Sequence, residues 1–523
     1  MKKLYWLTFL GCLLWDSVLA QNTHSSFATN HSRLSKQPNI VIILADDLGY
    51  GDVQCYNPNG KILTPNIDRL ASQGMRFTDA HSSSAICTPS RYSILTGRYH
   101  WRSRKQEGIV EKWEEPLITP ERLTIAGLAK QNGYLTAAIG KWHLGWNWPI
   151  AKEDRSHFIR FGSFESKSNN PSLKFDATDE DRAAWARTFS RPIKGGPLAV
   201  GFDTYFGTDV PNWPPFCFIR DEKTVGIPTE FLKDGLVTIN QASFQGPALK
   251  DWKLEEILPE LQTQAVNFIT EQSKTNKPFL LYLPLTSPHT PLAVEATWKN
   301  KSGLNNDYAD FVMQTDAVVG KILDAIKQGG MEENTIVIFT SDNGCGNYIG
   351  VKDLEARGHY VSGGLRGYKG EVWEGGTRIP FIVRYPGTVK PGTVCDKLVL
   401  QADIMRTMAD IFGKKLPANA GEDSHSLLPL LKGKNVNVRE TAVYCRYDGL
   451  QAIRKGPWKL ICTVTPSLFN LQQDIAETKD VAADNPKLVS EMLALQKKFI
   501  DDGRTTPGAT QRNDVTVKVK FER

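Results

Sequence analysis

The chain reads as an α/β protein: a mostly parallel central sheet covered by helices, followed by a small α+β segment with an antiparallel sheet. Three observations carry that reading. Continuously apolar, β-rich runs recur at "NIVIILADD" (39–47), "YLTAAIGKWH" (134–143), "PFLLYLPLTSPH" (278–289), "TIVIFTSDNG" (335–344) and "IPFIVRYPG" (379–387). Helical patterns separate them. From about residue 430 the pattern shifts to short strands joined by glycine turns. Runs without polar alternation belong to strands buried on both faces, and their alternation with helices builds parallel sheet.

Each element has its own signal. "TPNIDRLASQG" (64–74) and "TPERLTIAGLAKQNG" (119–133) read as helices with threonine N-caps and C-terminal glycines. "YADFVMQTDAVVGKILDAIKQGG" (308–330) shows a 3.6-residue apolar period. Residues 150–260, rich in Pro, Trp and Phe, give no periodic signal and are expected to hold long loops. Near the end, "LVSEMLALQKKFIDDG" (488–503) is an amphipathic helix, and "DVTVKVKFE" (514–522) alternates as a strand with one buried face. The expected division is a large domain over 38–425 and an α+β subdomain over 430–523.

Residues 1–20 combine Lys2 and Lys3, a short apolar stretch and small residues up to Ala20, the pattern of a secretory signal peptide. No later stretch offers about 18 uninterrupted apolar residues, so stable membrane insertion is not expected. A secreted or periplasmic location follows. Charged residues make up 23% of the chain and the net charge is +6, with no concentrated basic stripe, which argues against nucleic acid as a partner. Seven cysteines remain after residue 20. Export would allow pairing, but an odd number leaves at least one outside. No CxxC spacing points to zinc.

Four predicted strands end in reactive side chains: Asp46 and Asp47, Lys141 and His143, His289, and Asp342 and Asn343. Ligands of open α/β sheets bind beyond the carboxyl ends of strands, so these endings point to one site. Asp46, Asp47, Asp342 and Asn343 are short oxygen donors whose charges would repel without a cation. Ca²⁺ suits them, with Mg²⁺ second; ordinary turn and N-cap roles are the competing reading. Lys141 and His143, two apart, face the same way on an extended backbone, and with His289 offer positive charge and proton transfer. "CTPSR" places Cys87 at a helix start, with Pro89 in the first turn, Gly97 at the far end and Arg91 on the same face. That is an anion-friendly position that would acidify a thiol. A thiolate nucleophile and a buried capping cysteine both remain open on these residues alone.

The pentapeptide followed by "LTGR" resembles the signature of the formylglycine-dependent type I sulfatases. "ADDLGYGD" before it, and "GKWHLG", "SPH", "SDNG", "GYKGEVWEGGTRIP" and "LFNLQQDIAETKDVA" after it, are present in the family's order, between about 38 and 487. The resemblance implies an alkaline-phosphatase-like fold and oxidation of Cys87 to Cα-formylglycine by a maturation enzyme. It assigns Asp46, Asp47, Asp342, Asn343 and modified residue 87 to a Ca²⁺ site. Arg91 would hold the aldehyde hydrate, Lys141, His289 and Lys369 the sulfate oxygens, and His143 would be the base. His289 or Lys369 would protonate the leaving oxygen.

The substrate implied is a sulfated carbohydrate. "PNWPPFCFI" and "HYVSGGLRGYKG" look similar to sulfatases acting on O6 of galactose or N-acetylgalactosamine. His359 and Arg366 are the candidate substrate contacts, and Trp146, Trp148 and the "PNWPPF" aromatics (211–216) are candidate sugar-facing rings. Two rival readings are a formylglycine-dependent phosphonate or phosphate ester hydrolase and a catalytically dead glycan-binding protein.

Overall fold

Four of the apolar runs lie side by side as parallel strands. The computed structural model describes residues 37–160, 176–233 and 243–518; the predicted signal peptide lies outside them. The main sheet has ten strands. From edge to edge they are Thr393–Cys395, Met75–Phe77, Phe381–Arg384, Thr335–Ser341, Asn39–Ala45, Phe279–Pro284, Leu135–Ile139, Thr204–Gly207, Ile219–Arg220 and Lys223–Thr224. Thr335–Ser341, Asn39–Ala45, Phe279–Pro284, Leu135–Ile139 and Thr204–Gly207 pair in parallel, so their carboxyl ends share one edge. Phe381–Arg384, from the fifth apolar run, is antiparallel to both its neighbours.

The central strand explains why its sequence has no polar alternation. Ile40, Ile42 and Leu44 enter one core, with Tyr92, Ile125 and Ile404 from helices Cys87–Thr96, Ile125–Gln131 and Asp403–Ile411. Val41, Ile43 and Ala45 enter the other, with Ile67, Leu261 and Ile322 from helices Pro65–Gln73, Ile257–Ser273 and Asp307–Gln328. Each large aliphatic side chain so buried contributes roughly 1.5–3 kcal/mol.

Several expectations need correction. The helix expected from Thr119 begins only at Ile125, because the side chain of Thr124, not Thr119, accepts Gly127 N–H at 3.0 Å and caps it. Helix Ile257–Ser273 gave no recognised signal, since it follows directly on the aperiodic region. That region is not all loop. It contains helix Asp179–Phe189, opened by a Thr178/Asp181 capping box, and strand Thr204–Gly207, which extends the main sheet. No disulfide joins the seven described cysteines.

The C-terminal segment forms an antiparallel four-stranded sheet of Thr441–Cys445, Gln451–Lys455, Trp458–Ile461 and Ser467–Asn470, with helix Pro486–Asp501 against it. The strand expected at 514–522 does not form over its described part, which ends at Lys518. The alternation has another cause. Gln106 substitutes for a partner strand, donating to the Thr516 carbonyl and accepting from Lys518 N–H, both at 2.8 Å, while Val517 packs on the C-terminal core.

A buried charge network joins this sheet to the main one. Lys459 Nζ lies 3.0 Å from Glu374 and 2.9 Å from Glu477, all three fully buried. Arg378 bridges Glu374 and Asp79, and Arg454 takes both oxygens of Asp79 at 2.7 and 2.8 Å. Asp79, His81 and Glu374 are close enough to hold a metal, but these cations already neutralise the acids. Removing one partner of such a network leaves an uncompensated buried charge. Lys459→Met is therefore expected to lower unfolding free energy by about 3–5 kcal/mol, read as a lower midpoint in denaturant unfolding.

Candidate active site

The parallel register brings the four reactive strand endings together. Asp46 and Asp47 follow Ala45, Asp342 and Asn343 follow Ser341, and Lys141 and His289 lie a few residues past Ile139 and Pro284. Helix Cys87–Thr96 starts at the same edge, with Gly97 ending it in the left-handed region at φ 63°. Cys87 is the first helical residue rather than the cap. Lys369 arrives on a loop laced in place by its own N–H to the Cys345 carbonyl (2.9 Å) and by Gly370 N–H to the Ala85 carbonyl (2.8 Å).

The side chains interlock. Arg91, fully buried, reaches Asp342 at 2.8 Å, Asp46 at 3.3 Å and the Lys141 carbonyl at 3.0 Å. Lys141 Nζ lies 2.7 Å from the other Asp46 oxygen. Lys369 Nζ lies 2.6 Å from Asp47 Oδ2, which His289 Nε2 approaches at 3.6 Å. Asn343 donates to Asp47 Oδ1 at 2.8 Å. One ligand atom each from Asp46, Asp47, Cys87 and His289 fall within 4.8 Å of one another.

The electrostatics match this crowding. At Asp46, burial opposes ionisation, but Lys141, His289 and Arg91 outweigh it and hold the carboxyl well below its usual range. Burial and the charge on Asp46 push Asp342 well above its own. At Cys87, burial is again outweighed, here by Lys141 and Lys369 with help from the His143 and His289 imidazoles, and the thiol sits well below its ordinary value. Burial drops His143 to about 4, so the imidazole is neutral at pH 7 and able to accept a proton.

The donor set fits a hard cation. Asn343 Oδ1 is buried and accepts no hydrogen bond, and Asp46 Oδ1 has only Arg91 at 3.3 Å; a buried oxygen left so is costly unless something positive faces it. Three buried carboxylates beside an amide oxygen are the ligand types that Ca²⁺ or Mg²⁺ takes.

Other expectations change on contact with the geometry. Lys141 and His143 are not on extended backbone: the strand ends at Ile139, and His143 has φ 54°. They converge through a turn. Trp146 is buried in the core, Trp148 joins a cluster with Trp113 and Phe189, and Trp213 is buried 5.3 Å from the His143 ring. These rings pack the protein rather than facing a sugar. His359 is fully buried, with Nε2 on Asp52 at 2.8 Å and Nδ1 accepting Lys61 N–H at 3.0 Å, so neither nitrogen is left for a substrate. Arg366 donates to the Glu477 carbonyl at 2.6 Å and stacks on Trp373 at 3.6 Å; its guanidinium ties loop to C-terminal segment.

Two residues that sequence reasoning passed over hold His143. Asp209 Oδ1 accepts the His143 N–H at 3.2 Å and Trp146 Nε1–H at 3.1 Å, and burial raises its carboxyl to about 6. Thr88 donates its hydroxyl to the His143 carbonyl at 2.9 Å. Thr88 was visible inside "CTPSR"; Asp209 follows the strand hidden in the aperiodic region. Left-handed backbone costs an L-residue roughly 1–2 kcal/mol, and these bonds offset that strain at His143.

An α/β sheet carrying buried acids, lysines, histidines and a helix-start cysteine at its carboxyl edge defines a site for an anionic ester. The Sulfatase family matches residues 38–414, and the C-terminal family of N-sulphoglucosamine sulphohydrolase matches 368–502. The chain belongs to the sulfatase family, with the alkaline-phosphatase-like fold, and is a sulfuric ester hydrolase. It is similar to an N-acetylgalactosamine-6-O-sulfatase of Bacteroides thetaiotaomicron, 33% identical over 92% of this chain and 97% of the relative. Among solved structures, a Bacteroides thetaiotaomicron 6S-sulfatase described with metabolism of multiple glycosaminoglycans superposes with TM-score 0.74 at 31% identity, covering 89% of this chain and 99% of that one. Ps i-CgsB in complex with k-i-k-neocarrahexaose gives TM-score 0.66 at 26% identity, covering 89% and 93%.

Misplacing a reacting group by about 1 Å can cost 100-fold. Asp209→Ala is expected to lower kcat by ~10–100-fold with a smaller effect on KM, checked by steady-state kinetics on an aryl sulfate; an unchanged kcat would remove Asp209 from the account.

Proposed function

We propose that this sulfatase is exported, carries formylglycine at residue 87, works with Ca²⁺ and removes 6-O-sulfate from galactose or N-acetylgalactosamine units of a glycan. The observation that carries the reading is the convergence of Cys87, Arg91, Lys141, His143, His289 and Lys369 around three buried carboxylates. The sugar and ring position rest on the similarity to the N-acetylgalactosamine-6-O-sulfatase, and export on the first twenty residues.

Cys87 Sγ stands where an oxygen of the aldehyde hydrate would be. The hydrate would supply a hydroxyl nucleophile, and the cation, held by Asp46, Asp47, Asp342 and Asn343, would supply charge neutralisation. Charge counting supports the cation: Asp46, Asp47 and Asp342 are matched by Arg91, Lys141 and Lys369, so a divalent ion leaves the pocket positive for an anionic ester. Lys141, Lys369 and His289 draw the sulfate oxygens into that field. His143, neutral and anchored by Asp209 and Thr88, would take the proton of the second hydroxyl on residue 87, so that its carbon would release sulfate and return to the aldehyde. His289 or Lys369 gives a proton to the departing sugar oxygen. Arg91 fixes Asp46, Asp342 and the Lys141 carbonyl, and so sets the geometry of all three.

Mass spectrometry of the residue-87 peptide, on protein from a host with a maturation enzyme, is expected to show a mass about 18 Da below that of cysteine; an unmodified thiol overturns the mechanism. Sulfate release is expected from 6-sulfated galactosides and not from 2- or 4-sulfated ones, nor from phosphate esters. The reverse preference overturns the substrate. Chelation is expected to abolish turnover, with Ca²⁺ restoring it. Lys141→Met is expected to cost ~100–1,000-fold in kcat, measured on the same substrate.

A further inference from the structure

The tryptophans expected to face a sugar are packed inside, so the aromatic surface of the mouth comes from elsewhere. Two exposed tyrosines flank Lys369. The Tyr348 hydroxyl donates to Asp47 Oδ2 at 3.2 Å, the oxygen that also takes Lys369 Nζ. Even so, 40% of Tyr348 is exposed. Its tip therefore reaches the catalytic cluster while its ring borders solvent. Gly346 makes room for it: a Cβ there would lie 2.6 Å from the Tyr348 ring.

Tyr447 comes from a different part of the chain, the turn between strands Thr441–Cys445 and Gln451–Lys455, and lies beside Gly370, the residue after Lys369. Its N–H donates to the Gly370 carbonyl at 3.2 Å, and its carbonyl accepts Gly108 N–H at 2.7 Å. Asp448 takes Arg446 through both oxygens and accepts Leu450 N–H at 3.2 Å, which closes the hairpin that carries Tyr447. The backbone is thus pinned on both sides, yet the side chain is 57% exposed. A bulky ring left in water on a fixed backbone is a preorganised contact surface, which binds without the loss of loop freedom that weakens mobile sites. Aromatic faces suit the C–H faces of pyranose rings, and tyrosine adds a polar tip.

We propose that Tyr348 and Tyr447 are specificity-determining walls of successive saccharide subsites, Tyr348 against the sugar carrying the sulfate and Tyr447 against the next ring of the glycan. This rests on the proposed action on a glycan. The ligand class is a sulfated oligosaccharide, and the enzyme reads more of it than the ester alone.

The test compares sulfate release from a 6-sulfated galactoside, from a tetrasaccharide ending in that sugar, and from 4-nitrophenyl sulfate, for wild type and for Tyr348→Ala, Tyr348→Phe, Tyr447→Ala and Tyr447→Phe. Tyr447→Ala is expected to raise KM for the tetrasaccharide at least tenfold more than for the single sugar. Tyr348→Ala is expected to lose at least tenfold more kcat/KM on both sugars than on the aryl ester. The phenylalanine variants, which keep the ring, are expected to recover most of each loss. Equal losses on all three substrates, or none, would overturn the assignment while leaving glycan desulfation standing. A wild-type enzyme that releases sulfate from no sugar ester would overturn both.

Discussion

Arg91 is the constraint on which the rest depends. It is a guanidinium with no access to water, four residues past Cys87 and one turn into helix Cys87–Thr96, facing Asp46, Asp342 and the Lys141 carbonyl. An unpaired charge there would cost several kcal/mol. The helix can therefore dock only where two strand endings and the Lys141 turn already converge. That docking sets Cys87 against Asp46, Asp47 and His289, and it forces Lys141 and Asp46 into contact. Folding the charge network and assembling the site are one event.

The far end of the same helix is pinned by the same device. Arg98 takes both oxygens of Asp514, at 3.0 and 3.1 Å, and Arg102 takes both oxygens of Asp423, at 2.8 and 2.9 Å. These acids come from the last hundred or so residues of the chain, as do Lys459 and Glu477 in the network under Lys369's loop. Glu374, the partner of Lys459, lies five residues past Lys369. Residue 87, Arg91 and Lys369, the groups not supplied by strand endings, sit on a helix and a loop held in place from the last hundred or so residues of the chain.

What was legible in the sequence follows from what each force writes into it. Burial on both faces of Asn39–Ala45 and Thr335–Ser341 leaves continuous apolar runs, so the parallel sheet and the carboxyl-edge site could be read directly. Asp46, Asp47, Lys141, His143, His289, Asp342 and Asn343 were legible as one cluster because each closes such a run, whereas Lys369 lies in a glycine-rich loop that carries no such mark. Helix Ile257–Ser273 and strand Thr204–Gly207 were not, because they adjoin a region whose tryptophans and prolines obscure any period. His359 and Arg366 were misplaced for a related reason. Polar residues near a motif are as easily consumed by Asp52 or by the Glu477 carbonyl as offered to a ligand, and only packing decides. Asp209 left no local signal at all; its role exists through the His143 turn that the sheet brings to it.

The division between centre and rim follows the same physics. The centre is over-determined: its acids and bases are paired, so removing one leaves its partner as an uncompensated buried charge. The rim is different. Tyr348 is held by its hydroxyl, which meets Asp47 and Thr290, and Tyr447 by backbone bonds with the Arg446 guanidinium 6.0 Å from its ring, and neither contact involves Arg91 or Lys141. A loop whose backbone is fixed and whose side chain lies mostly in solvent is where side chains can vary at little cost in stability. Tyr447 sits on the first hairpin of the C-terminal sheet. The sheet that closes the buried charge network thus also reaches the rim where the proposed saccharide subsites lie.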